Sequence, residues 1–250
     1  MALRIPRSLR RAPLIEVIWQ AIFDKASPVP LGEVMLGILY ADLRKLNPEW
    51  RLQRLPAAQI PPAVAEQDPN LRYVVKYRLE AENEPILYQV GDLILSVNCR
   101  QPYVGWEVFR ERIIHICQLM ASSALVPGPG LHALRYLDLI RKEDMSDLSG
   151  LRLHIEIGDH VVKEKPLHLR VELPYAGQNH VLQVTMPARV QLKEGQLVGT
   201  LVDLETRAFS GGDWSLVQEK IDALHDASKA MFFEQVLTPE MIERFEPVYE

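Results

Sequence analysis

The stretch Leu151–Leu173, LRLHIEIGDHVVKEKPLHLRVEL, decides the fold class. Its first arm alternates Leu151, Leu153, Ile155 and Ile157 with polar residues, and its second alternates Leu167, Leu169, Val171 and Leu173 with His168, Arg170 and Glu172. Side chains of a strand point in turn to opposite faces, so each arm reads as a strand with one face on a core and the other in water. Two such arms in succession predict an antiparallel hairpin. With the turn at Val162, His154 stands opposite Arg170 and Glu156 opposite His168, all on the wet face.

A His/Glu pair across two strands, joined by Asp159 or His160 from the turn, contains the residue types that hold a metal ion. The same pattern also arises whenever a half-buried strand pair needs polar residues outside, and Arg170 beside the carboxylates would repel a cation. The stretch is therefore read as a wet face, with no metal and no cofactor expected.

Working outward, VLQVTMPARVQL (Val181–Leu192) and GQLVGTLVDLETRAF (Gly195–Phe209) read as two further strands. Upstream, PLIEVIWQAIF (Pro13–Phe23) is β-branched and aromatic, as in a strand covered on both sides, and Glu16 within it must reach an edge, pair with a cation or serve a site. LRYVVKYRL alternates Leu71, Tyr73, Val75, Tyr77 and Leu79 with Arg72, Lys76 and Arg78, which predicts one apolar and one basic face. ILYQVGDLILSVN reads as a hairpin about Gly91-Asp92, and LHALRYLDLI (Leu131–Ile140) as a strand carrying Arg135, Tyr136 and Asp138. The prolines of LPAAQIPPAVAEQDPN (55–70) mark a surface connection.

Three segments have helical spacing instead. Leu31–Leu46 places Leu31, Met35, Ile38 and Leu46 on one stripe, and Asn47-Pro48 ends it. Gly105–Ala124 buries Trp106, Phe109, Ile113, Cys117 and Met120, while DWSLVQEKIDALHDASKAMFFEQV aligns Trp214, Val217, Ile221, Leu224 and Phe232. A last short helix starts with Thr238 as N-cap and Pro239 at its first position. Helices that follow groups of hairpins, without βαβ alternation, predict an α+β fold: antiparallel β-sheet with helices packed on one face. The expected organisation is a basic tail over 1–12 and a single α+β domain over 13–250, divisible into sub-halves 13–145 and 146–250.

Composition narrows the function. The chain has 250 residues, 48% of them hydrophobic, enough for a sizeable core. With 28 basic and 33 acidic residues its net charge is -5, so it has no general attraction to a phosphate backbone. A basic surface must be local: Arg4, Arg7, Arg10 and Arg11 in the tail, and Arg72, Lys76 and Arg78 on the strand. No aromatic residues interleave the tail for base stacking, so the tail is read as disordered or ordered by a partner. It also lacks the hydrophobic region of a secretory signal. Cys99 and Cys117 have no metal-binding or disulfide-framework spacing, which points to a reducing, cytoplasmic setting. No apolar run is long enough for a membrane span, so no membrane is expected. Glycine-rich phosphate loops, G-x-S-x-G elbows, H-E-x-x-H helices and dinucleotide fingerprints are all missing from the sequence. The alternating glutamates of a triphosphate tunnel enzyme are missing too.

PLIEVIWQAIF, YQVGDLILSVN with YVGWEVFRERI, LHALRYLDLI, LVDLETR and the terminal FFEQVLTPEMIERFEP together resemble a sporadically distributed prokaryotic family of about this length that has no assigned function. The pattern of that family has Pro13 and Glu16 in the first strand, Gly105-Trp106 opening a helix, and Arg135-Tyr136 followed two residues on by asparagine; this chain carries Asp138 there. The resemblance implies cargo of mobile or defence cassettes, of the CRISPR-associated or toxin-antitoxin kind, with a dedicated partner.

The expected function is thus a non-catalytic accessory subunit that binds another protein, encoded nearby, with nucleic acid involved only indirectly through a complex. Two alternatives stand beside it. One is a small-ligand sensor or enzyme whose pocket takes in Glu16, Arg135, Tyr136 and Asp138, the candidate ligand or partner contacts. The other is a nucleic-acid-binding regulator using the basic residues.

Overall fold

Alternation of apolar and polar residues sets the strands of the structure, a computed structural model that describes residues 4–24, 30–69, 71–192 and 195–249. In chain order the first elements are β1 (Ser8–Leu9), β2 (Leu14–Ile22), α1 (Leu31–Leu46), β3 (Arg51–Arg54), α2 (Pro62–Gln67), β4 (Val75–Glu80), β5 (Ile86–Gly91), β6 (Ile94–Arg100) and α3 (Trp106–Ser122). Then follow β7 (Leu131–Arg141), β8 (Glu156–Ile157), β9 (His160–Val161), β10 (Leu167–Tyr175), β11 (Gln178–Leu192) and β12 (Gly195–Phe209). The chain closes with α4 (Trp214–Ala230), α5 (Pro239–Arg244) and β13 (Pro247–Val248). A mostly antiparallel sheet of nine strands runs in the order β10-β11-β12-β7-β2-β6-β5-β4-β3, so the fold is α+β as expected.

Two compact units alternate along the chain: Met1–Ile15, Arg135–Thr206 and Ala223–Glu250 form one, and Glu16–Leu134 with Arg207–Asp222 the other. A single cut near residue 145 does not reproduce this division.

In the unit built on Glu16–Leu134, β2 turns Val17, Trp19 and Ala21 into the core and leaves Glu16, Ile18 and Gln20 half-buried on its other face. Helices α1 and α3 pack on β5 and β6. The buried stripe of α1 is Leu31, Met35, Leu39 and Leu43, which replaces the expected Ile38 and Leu46: strict spacing by four holds the face, and Leu46 ends up 62% exposed at the helix end. Phe109, Ile113, Ile116, Cys117 and Met120 are the buried residues of α3, with Trp106 only half-buried at its start. The expected strand over Leu71–Leu79 also needs correction. It begins at Val75, with a register shift between Val75 and Tyr77 that carries Lys76 inward to 7% exposure. A bulge of this kind interrupts the alternation on which the basic face depended.

In the other unit, β10 and β11 pair residue for residue from Leu167↔Met186 to Tyr175↔Gln178 through a two-residue turn at Ala176 and Gly177, both at positive φ. This corrects the expected hairpin about Val162. The first arm contributes only β8, which pairs with β9 (Glu156↔Val161, Ile157↔His160), and His168 and Arg170 stand opposite Thr185 and Gln183 instead of Glu156 and His154. The strong turn signal was Ala176-Gly177, whose left-handed pair suits a tight hairpin better than the longer Val162–Pro166 link. Ile140, Leu182, Val184, Val202 and Leu204 from the strands form one core with Met231, Phe232, Phe233, Val236 and Ile242 from the turns after α4 and from α5. Thr238 caps α5, as its position before Pro239 predicts.

The basic segment is not a free tail where it is described. β1 pairs with β13, Arg11 bonds Asp144 at 2.8 Å, and Arg4 lies over the Tyr249 ring. Residues 1–3 of that expected tail lie outside the described residues.

Candidate functional site

Charged groups on strands collect at two places, one in each unit. In the unit of Arg135–Thr206, Arg135 on β7 reaches Asp203 on the adjacent β12 with two bonds, Nε donating to Oδ1 at 2.7 Å and a terminal nitrogen to Oδ2 at 2.5 Å. Gln183 on β11 adds a third donor to Oδ2 at 3.3 Å. The Asp203 side chain is 9% exposed and that of Arg135 31%, so the carboxylate is the buried member of the pair. The planar guanidinium fork matches a carboxylate edge, which makes such a pair both strong and directional.

Asp138 lies on the same strand, three residues from Arg135 and therefore on the other face, with Tyr136 and Ile140. It is 5% exposed. Burial, reinforced by the negative charge of Asp203, pushes its pKa up to about 7. Glu205, also on β12, is buried as well. Tyr136 Oη meets His225 Nδ1 of α4 at 2.8 Å.

A buried relay runs nearby in the same unit. The carbonyl of Tyr175 accepts from His180 Nε2 at 3.0 Å, which leaves Nδ1 to accept from Thr206 Oγ1 at 2.9 Å. Thr206 in turn meets Ser228 Oγ at 2.5 Å. The residue types are those of a nucleophile-base pair, but His180, Thr206 and Ser228 are all sealed at 2% exposure or less, so substrate has no access to the hydroxyl. Burial also lowers the His180 pKa and keeps the ring neutral.

In the other unit, Glu16 is neither orphaned nor at an edge. Asn98 Nδ2 donates to Glu16 Oε1 at 2.9 Å, Asn98 Oδ1 accepts from Ser96 Oγ at 2.7 Å, and Arg100 lies 3.9 Å from Glu16 and 4.0 Å from Glu80. The β2–β6 register sets this geometry by placing Glu16 across from Arg100 and Ile18 across from Asn98. The four sequence candidates thus fall in separate units, Glu16 in one and Arg135, Tyr136 and Asp138 in the other.

A cleft of about 590 Å³ opens in the unit of Arg135–Thr206 between the loop after β7 and α5, walled by Asp144, Asp147, Ser149, Thr238 and Arg244. None of the four candidates lines it. Among the described residues no cluster of three or more His, Cys, Asp or Glu side chains has the geometry of a metal site.

The seven basic candidates are divided between the two units. Arg4, Arg7, Arg10 and Arg11 belong to one unit, with Arg7 and Arg10 hydrogen-bonded through their backbone to the chain's end; Arg72, Lys76 and Arg78 belong to the other. Arg72 donates to the Asp24 carbonyl at 3.0 Å, Lys76 is buried against Asp92, and Arg78 Nε is buried without a partner. Arg4, Arg7, Arg10, Arg11 and Arg72 are exposed, as cations must be to release counterions from a phosphate backbone.

Sequence reasoning missed Asp203, Gln183, Asn98 and His225. Asp203 and Glu205 carried the signal already used for Glu16, a carboxylate inside an apolar strand, in LVDLETRAF. Exposed strand edges were missed too. β3, last in the sheet, has all four residues Arg51, Leu52, Gln53 and Arg54 exposed, with Leu52 at 43%.

No protein-family model matches the chain, and no curated protein does. Among the described residues no helix is long and apolar enough to cross a membrane.

Proposed function

We propose that the protein is a non-catalytic accessory subunit of a prokaryotic defence or stress cassette, CRISPR-associated or toxin-antitoxin in type, that works in the cytoplasm by holding another protein encoded nearby. The observation that carries this reading is β3. Its outer backbone edge ends the sheet, and its side chains Arg51, Leu52 and Arg54 stand in solvent. An edge strand offers unpaired N–H and C=O groups to an extended segment of another chain, and two arginines favour an acidic one. The family resemblance supplies the cassette, and the internal pairing of Glu16, Arg135 and Tyr136 gives these residues structural partners.

The test is capture from the native host by the tagged full chain, beside the variant Leu52→Glu. Stoichiometric capture of the product of an adjacent gene, lost in the variant, supports the reading. Capture of no such product, or equal capture by both chains, overturns it.

A second reading has its own support. Asp138 is a buried carboxyl on the same face of β7 as Tyr136, with its pKa raised to about 7, which suits a sensor for a small cationic ligand. Diamines and guanidines are the probes. A thermal shift with any of them that vanishes in Asp138→Asn favours this reading, and no shift with either chain removes it.

A further inference from the structure

The other end of the sheet carries a pattern that fits itself. β10 is last in the sheet order and pairs on one side only with β11. Its two-residue turn makes Tyr175↔Gln178 the first hydrogen-bonded pair, so the odd-numbered residues of β10 bond inward and the backbone groups of His168, Arg170, Glu172 and Pro174 turn outward. Pro174 agrees with this assignment, because a proline inside a sheet turns its missing N–H away from the ladder.

We infer that β10 pairs with β10 of a second copy of this chain, antiparallel and centred on Val171. Charge complementarity selects this occupant and this register. A two-fold axis at Val171 sets Arg170 opposite Glu172 of the other copy, and Glu172 opposite its Arg170. Both side chains are exposed, at 48% and 57%, and already meet within one chain at 2.6 Å. Two such pairs brought together by the axis form a four-member ring of alternating charge on the wet face, whereas like charges directly opposed would be destabilising. On the other face the same register lays Leu169 against Leu173, a side chain left 38% exposed in the single chain. An isologous contact of this kind closes after two copies, so a bare strand edge yields a dimer and not a fibre. The pairing concerns β10 alone and is independent of what β3 holds.

Sedimentation of the full chain tests it. The expected mass is twice the 28.6 kDa of the chain. Arg170→Glu and Glu172→Arg each place like charges across the axis and are expected to give monomer, while the double variant Arg170→Glu/Glu172→Arg restores the alternation and the dimer. That rescue separates pairing from any effect on folding. Val171→Cys serves as a second probe, since residues facing each other between hydrogen-bonded pairs come within disulfide reach; under oxidation a covalent dimer is expected. A monomer at every concentration, a dimer indifferent to both single reversals, or β10 occupied only by a different protein would each overturn the inference.

Discussion

Arg135 grips Asp203 edge-on, Nε to Oδ1 at 2.7 Å and a second nitrogen to Oδ2, and Gln183 completes the shell around the same carboxylate. The pair joins two neighbouring strands in one unit and takes up charges that would otherwise be candidates for chemistry. Removing its cation leaves Asp203 buried with, among the described residues, the neutral donor Gln183. Arg135→Ala is therefore expected to lower stability by about 3 kcal/mol, and Arg135→Lys by nearly as much because an ammonium cannot copy the fork. Urea midpoints of the two variants, read against the native chain, check this.

Asp138 predicts a pH dependence whose sign follows from its raised pKa. Below about pH 4 the carboxyl is protonated both in the folded chain and in the unfolded one, and contributes nothing. Between there and about 7 the unfolded state ionises while the folded state keeps its proton, so this group lowers stability as pH rises through that window. Asp138→Asn removes the slope. Its midpoint is expected to exceed that of the native chain at pH 8 and to converge with it at pH 4, measured in the same denaturant series.

Much of this was legible in the sequence because the strands and helices obey their periods. The Gly91-Asp92 hairpin, the strand from Leu131 and the Thr238 cap all follow from local rules. The period failed at the Val75/Tyr77 shift, which moved Lys76 inside, and the Val162 reading failed because a stronger local turn signal, Ala176-Gly177, closes the hairpin. Glu16 and Arg135 stood out as charges in apolar strands, but their partners lie on other strands, Asn98 and Arg100 for one and Asp203 for the other. Sequence order does not disclose which strands become neighbours.

Gly32 tests how closely α1 seats on the β5–β6 turn. A Cβ there would come 2.7 Å from the Gly91 carbonyl oxygen, a backbone atom with little room to yield. Gly32→Ala gains about 1 kcal/mol of helix propensity but must push the helix off the turn, at a cost of roughly 2–3 kcal/mol. The expected net result is a lower melting temperature, opposite to what propensity alone predicts.

The Thr238 cap makes a smaller prediction. Its Oγ1 accepts from the Met241 N–H at 3.3 Å, and Met241 is buried in the same core as Phe245. Thr238→Ala is expected to cost about 1 kcal/mol, and Thr238→Ser or Thr238→Asp to recover most of it. Denaturant midpoints measure both.

Partner binding at the exposed edge of β3 is the claim on which the functional account rests, and amide hydrogen exchange on the complex with the captured protein tests it most directly. The account predicts slowed exchange at Arg51–Arg54 on complex formation. Unchanged exchange over those four residues, with protection arising elsewhere on the chain, would contradict it.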